Sequence, residues 1–153
     1  MRPIIAVFVS VAAVVGLASL ASPVEAAGHW ACRDGAWIAV GAPGHPRPAR
    51  ACGERPAIPK SEAACRQVGG RWGRAGIFPT PICVVPTGDA GRVCGDGGEC
   101  EGVCLADPTS AERARIAAGT PIALTGRCSE RRPVFGCMYR VEAGMVRGRL
   151  CAD

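Results

Sequence analysis

Ten cysteines, the hydroxyls of Ser61, Ser110 and Ser129, two histidines and a short acidic stretch are the side chains here that could carry chemistry. The cysteines are Cys32, Cys52, Cys65, Cys83, Cys94, Cys100, Cys104, Cys128, Cys137 and Cys151. Zinc sites usually show two close Cys pairs, and thioredoxin-like redox chemistry needs Cys-x-x-Cys. No two of these cysteines have only two residues between them, and the closest pair is Cys100 and Cys104. Their even number therefore reads as a structural disulfide framework. Nucleophilic catalysis would need His29 or His45 as a base, one near the start of the expected mature chain and the other in a proline-rich stretch. Both segments are expected to move, whereas a triad needs its base held within hydrogen-bond reach. No G-x-S-x-G elbow is present. The acidic residues Asp89, Asp96, Glu99, Glu101 and Asp107 read as a solvated loop. No catalytic residue and no cofactor are predicted, and hydrolase activity is not expected.

These side chains must be held by a chain poor in apolar material. Met1-Arg2 followed by the apolar run Ile4 to Leu20, then Ser22-Pro23 and Val24-Glu25-Ala26, has the layout of a secretion signal. Residues 1–26 are predicted to be removed, with Ala21 and Ala27 as neighbouring cleavage points. The absence of a basic cluster just after the run argues against a retained membrane anchor, and no membrane span is expected in residues 27–153. That remainder is rich in glycine and proline and thin in core residues. Fold stability is typically ~5–15 kcal/mol, and one disulfide contributes roughly 2–4 kcal/mol. Five bridges are thus expected to decide whether the chain folds.

Turn chemistry outlines the elements. His29 to Val40 reads as two short strands about Asp34-Gly35. Gly41 to Lys60 holds five prolines and should be extended, tied down at Cys52. Ser61 can cap a short helix running to Val68, which Gly69-Gly70 would end. A strand pair with Trp72 near its start and Ile82 to Val85 as its return is predicted next. Asp107-Pro108 reads as a helix entry with Pro108 at the first helical position, leading into a helix over 109–118. Val134 to Val141 and Met145 to Cys151 flank Glu142-Ala143-Gly144, a hairpin signal that sets Cys137 opposite Cys151. Cys137–Cys151 is the favoured disulfide. The same alternation puts Met138, Val146 and Leu150 on the inward face, with Tyr139, Arg147 and Arg149 on the cysteine face. Trp30, Trp37 and Trp72 are expected to be partial core. The predicted fold is a small disulfide-rich one: short β-hairpins, one or two short helices, and long Pro/Gly-rich loops. It is read as a single stapled domain over 27–153, with candidate sub-units at about 27–88 and 89–153.

Charge is unevenly spread. Residues 27–85 carry eight basic and three acidic side chains, residues 86–109 one and five, and residues 110–153 eight and four. Lys60 is the only lysine. Arginine favours bidentate contact with phosphate, carboxylate or sulfate, so an anionic polymer is one partner to consider.

Three stretches resemble known families. Cys65-Arg66-Gln67-Val68-Gly69-Gly70 followed by Cys83-Val84-Val85-Pro86-Thr87-Gly88 resembles small bacterial extracytoplasmic domains that carry a hemolysin label. That resemblance covers residues 65–88 and implies a helix–hairpin unit in a bacterial envelope; no activity is carried over from the label. Thr87 stands where that family usually has an acidic residue. Asp96-Gly97-Gly98-Glu99-Cys100-Glu101 resembles the closing half of the excalibur calcium motif, making Asp96, Glu99 and Glu101 the candidate ligands. The aspartates expected before them fall at Arg92 and Cys94, and calcium wants six to eight oxygens. Val93-Cys94-Gly95-Asp96-Gly97 resembles part of the Kazal inhibitor pattern, without its following tyrosine and asparagine.

The expected protein is therefore exported, secreted or periplasmic, monomeric and non-enzymatic, a binding or structural component of the cell envelope or its surroundings. Two alternatives are a protease inhibitor, with the arginine-bearing loop Ser129 to Pro133 as bait, and an arginine-rich binder of anionic polymers.

Overall fold

Asp34 and Gly35 adopt positive φ (50° and 76°), the backbone that a tight hairpin turn demands. They join β1 (His29–Arg33) to β2 (Ala36–Val40) in a two-stranded antiparallel sheet. The structure, a computed structural model, describes residues 25–77 and 79–153. The predicted signal, residues 1–26, lies almost wholly outside the described residues.

Gly41 to Lys60 forms neither helix nor strand, and Cys52 fastens it to β1 through the bridge to Cys32. Ser61 caps α1 (Glu62–Gln67) by accepting from the Ala64 amide, and Gly69 takes φ +70° just beyond its end. The Gly69 and Gly70 amides then close onto the carbonyls of Arg66 and Cys65. Next come β3 (Arg71–Gly73) and β4 (Ile82–Pro86), paired antiparallel with Trp72 opposite Cys83. Cys65–Cys83 pins the helix to this hairpin, and Trp72 packs on the resulting small cluster with Val85. Gly70 sits so close that a Cβ there would lie 2.7 Å from both of these sulfurs.

The second half is built around buried sulfur. In chain order it contains β5 (Val93–Cys94), a 3-10 turn (Gly97–Glu99), β6 (Cys104–Ala106), α2 (Ser110–Ala117), β7 (Ile122–Ala123), β8 (Gly126–Cys128), β9 (Arg131–Arg132), β10 (Gly136–Arg140), β11 (Met145–Val146) and β12 (Arg149–Ala152). The largest sheet runs β12-β10-β6-β8-β5; β7 pairs β11, and β9 joins the edge of β4. The main core holds Cys94, Cys100, Cys104, Cys128, Ile116, Ile122, Val141 and Val146. Half of those eight residues are cystine, so bridged sulfur stands where a larger domain would place leucine and phenylalanine. The bridges there are Cys94–Cys104 and Cys100–Cys128. The protein is thus a small disulfide-rich fold of short antiparallel strands with two helices. Strand β4, in the first candidate sub-unit, pairs with β9 in the second. No helix among the described residues is long and apolar enough to cross a membrane.

Two local readings need correction. Pro108 is not the first helical position: it is buried just before the cap, and Thr109 is the capping residue. Thr109 accepts from the Glu112 amide while the Glu112 carboxylate takes the Thr109 amide, a reciprocal arrangement that satisfies two otherwise orphaned donors. The second correction concerns the last hairpin. Cys137 does lie opposite Cys151 and is bridged to it, with Met138 opposite Leu150. The expected inward face is not buried, however: Leu150 is half exposed, while Tyr139 of the cysteine face packs on the main core although Cys137, Arg149 and Cys151 beside it are exposed. The reason is β6, which pairs with β10 through Tyr139 and Arg140 and so fixes which side faces the core. Val146 is fully buried, but by pairing with Ile122 of β7 rather than within this hairpin.

Candidate functional site

The acidic stretch is internal wiring instead of a solvated loop. Glu99 ends the 3-10 turn at 0% exposure. One of its oxygens, Oε1, accepts from the backbone amides of Trp30 and Gly95, both at 3.0 Å. The other, Oε2, lies 2.6 Å from His45 Nε2. A buried carboxylate is tolerable only when its lone pairs are occupied in this way. Asp96 Oδ1 accepts from the Gly98 amide at 2.6 Å, and its Oδ2 accepts from the Ala143 amide at 2.7 Å. Glu101 Oε2 takes the Gly88 amide at 2.9 Å, and Asp89 Oδ2 takes the Glu101 amide at 3.0 Å. Asp107 alone is exposed, paired with Arg113 at 2.7 Å.

Asp96, Glu99 and Glu101, the calcium candidates of the sequence, are therefore drawn to three different sets of partners. Among the described residues they do not bring one oxygen each within 4.8 Å of one another. The two clusters that do meet that spacing are Cys94, Cys100 and Cys104, and Asp89, Cys100 and Cys128. Their sulfurs are all bridged and carry no thiolate for a metal.

The histidines also differ from expectation. Both are buried, His29 at 6% exposure and His45 at 8%. His45 is held by Glu99, and its backbone carbonyl accepts from the Trp30 indole at 3.1 Å. His29 Nδ1 lies 3.2 Å from the Ala27 carbonyl. The proline-rich segment is thus clamped at His45, at Cys52 and by the Trp37 indole, which donates to the Arg50 carbonyl at 2.9 Å. None of the three serines meets these histidines through a hydrogen bond. Ser61 caps α1, and Ser129 Oγ accepts from the Val103 amide and donates to the Arg131 carbonyl. Trp30, Trp37 and Trp72 are each half-buried.

Ser129 to Pro133 is not a free loop. Arg131 and Arg132 form β9 against β4, Thr87 donates to the Glu130 carbonyl at 3.0 Å, and Ser129 is buried. What this strand builds is a groove of about 580 Å³. Its lining includes the apolar Val84, Leu105, Val134 and Phe135 and the charged Arg71, Arg127, Arg131 and Glu130. Arg127 donates to the Gly91 carbonyl at 2.9 Å, while Arg71 and Arg131 enter no ion pair among the described residues. That volume is in the range of small-molecule sites.

Arg50 marks a second cavity. Its guanidinium donates to the carbonyls of Glu54, Gly98 and Cys100 and lies 5.4 Å from the centre of the Trp37 ring. Desolvation by burial pulls its pKa below the ordinary arginine value, with neighbouring charges adding smaller effects of both signs. No residue-type pattern marked Arg50, Glu99 or His45 together, since their partners lie tens of residues away. No family model matches this chain, and neither a curated protein nor a solved structure matches it.

Proposed function

We propose that the chain is an exported, non-enzymatic binding protein that holds an acidic, partly apolar polypeptide segment in the groove beside β9. One observation carries the reading: a groove lined by apolar side chains and by three arginines against one carboxylate, Glu130, in which Arg71 and Arg131 have no carboxylate partner among the described residues. The apolar and the charged lining call for different halves of the same ligand. Apolar side chains would cover Val84, Leu105 and Phe135, and carboxylates would meet guanidinium groups suited to bidentate contact. The disulfide framework supports export, since such bridges persist in oxidising compartments. It also supports binding, because a stapled groove is already ordered and loses little entropy when occupied. A free bait loop at Ser129 to Pro133 has no support, as that segment is committed to β4.

The test is a fluorescence or calorimetric titration of the oxidised protein with a synthetic peptide of alternating leucine and glutamate. Binding should weaken steeply with added salt. Arg71→Glu combined with Arg131→Glu should abolish it while leaving thermal unfolding in place. Equal binding by that double variant, or no binding by the unaltered protein, overturns the reading.

A further inference from the structure

We infer that Cys137–Cys151 is a thiol–disulfide exchange site: a dithiol opens this bridge in the folded protein, through a mixed disulfide on Cys151, and leaves the other four closed. Access divides the ten cysteines. Cys65, Cys83, Cys94, Cys100, Cys104 and Cys128 are at most 2% exposed, so an incoming thiolate reaches their three bridges only when the structure around them opens. In Cys32–Cys52 one partner, Cys52, is half-buried in the proline-rich segment that the Trp37 indole clamps at Arg50. Cys137–Cys151 is the one bridge with both residues exposed. Its setting also lets it open alone. All four residues of β12 are exposed, so no buried side chain has to be withdrawn, and β10 is held independently by its pairing with β6 through Tyr139 and Arg140. Exposed bridges of this kind are the labile ones.

The sheet selects the sulfur that is attacked. A thiolate must approach along the S–S axis, from the far side of the sulfur it joins, because its electron pair enters the bond that breaks. Strand β12 is the edge of the five-stranded sheet, with no further strand beyond Cys151, whereas β10 lies between β12 and β6. The first thiolate therefore bonds to Cys151 Sγ, the Cys137–Cys151 bond breaks, and Cys137 leaves as a thiolate that takes up a proton. The second thiol of the same dithiol, once deprotonated, attacks its partner sulfur in the mixed disulfide. Cys151 is then released as a thiol and the reagent departs as a disulfide, two electrons having passed from the dithiol to the bridge. A monothiol stops at the first step, which makes the mixed disulfide the form to trap. Neither cysteine lines the groove beside β9, so the two sites can fail separately.

The experiment treats the unaltered oxidised protein with dithiothreitol and, separately, with reduced glutathione, both without denaturant. Samples are quenched with acid at intervals, free thiols are alkylated, and peptides are mapped by mass spectrometry. With dithiothreitol, alkylation at Cys137 and Cys151 should appear at least about tenfold faster than at any other pair. That rate should stay unchanged in urea below the unfolding transition, while the rates at the buried pairs rise. With glutathione, the adduct should sit on Cys151 and the alkyl group on Cys137. The inference falls if Cys32–Cys52 or a buried bridge opens as fast, if urea accelerates the opening of Cys137–Cys151 as it does the buried pairs, or if glutathione is found mainly on Cys137.

Discussion

Two of the disulfides close loops that differ by a factor of two: Cys100–Cys128 spans 28 residues and Cys137–Cys151 spans 14. If bridges worked only by restricting the unfolded chain, removing either would cost nearly the same. A doubling of loop length is worth only about 0.6 kcal/mol, on a total of roughly 3–4 kcal/mol for each. Their surroundings separate them. Cys100 is 0% exposed and Cys128 2%, in the middle of the main core, whereas Cys137 and Cys151 are exposed on the last hairpin. Truncating both buried cysteines to alanine removes two core sulfurs and leaves a cavity, at a further cost of about 1–3 kcal/mol by analogy with losing one buried carbon per site. Cys100→Ala with Cys128→Ala should therefore destabilise by roughly 2–4 kcal/mol more than Cys137→Ala with Cys151→Ala. Urea unfolding of the two variants, with the remaining four bridges verified by non-reducing peptide mapping, measures the difference. Equal losses, or a larger loss for the exposed pair, would refute the view that cystine forms the interior here.

The buried glutamate gives a second test: Glu99→Ala strips the acceptor from three donors, at about 1–3 kcal/mol each without full additivity, so urea unfolding should report a loss of roughly 3 kcal/mol or more, and Glu99→Gln a smaller one. Gly70→Ala places a methyl 2.7 Å from the Cys65 and Cys83 sulfurs and should lower stability by about 1–3 kcal/mol while raising the fraction of protein in which that bridge is open, read by thiol alkylation and mass spectrometry. Hydrogen bonds from Thr109 hold the Glu112 carboxyl below its ordinary pKa, so this group favours the folded helix end above the usual glutamate range and the benefit disappears as pH falls through its depressed folded-state value. An NMR titration should find that midpoint low and find it raised only in part in Thr109→Val, which removes the hydroxyl donor and keeps the backbone amide; an unchanged midpoint would mean that the hydroxyl contributes nothing to it.

What the sequence reveals and hides divides along range. The Asp34-Gly35 turn, the Ser61 cap and the Gly69 helix end are all decided by residues within a few positions of one another, and each is where its chemistry puts it. The pairing of Cys137 with Cys151 follows from one turn and a period of two. The direction that the same hairpin faces does not, because it is set by β6, more than thirty residues earlier. The buried hub is less legible still. Glu99 is one of five acids in a glycine-rich stretch, and nothing local distinguishes it from Glu101; its partners Trp30 and His45 lie 69 and 54 residues away. His45 looks mobile among prolines because its anchors, the Trp30 and Trp37 indoles and the Cys32–Cys52 bridge, belong to another element.

The uneven charge of the chain follows from the same wiring. Short strands leave many backbone amides without a ladder partner, and a buried amide must find one. Asp89, Asp96, Glu99 and Glu101 supply acceptors to the amides of Glu101, Gly98, Ala143, Trp30, Gly95 and Gly88. Those carboxylates are consequently turned inward and largely lost as partners for surface arginines. Arg71, Arg131, Arg147 and Arg149 are exposed with no ion pair among the described residues. A basic exterior is thus the counterpart of acids spent on holding up an irregular backbone, and the arginine-bearing groove is where that excess meets an apolar lining.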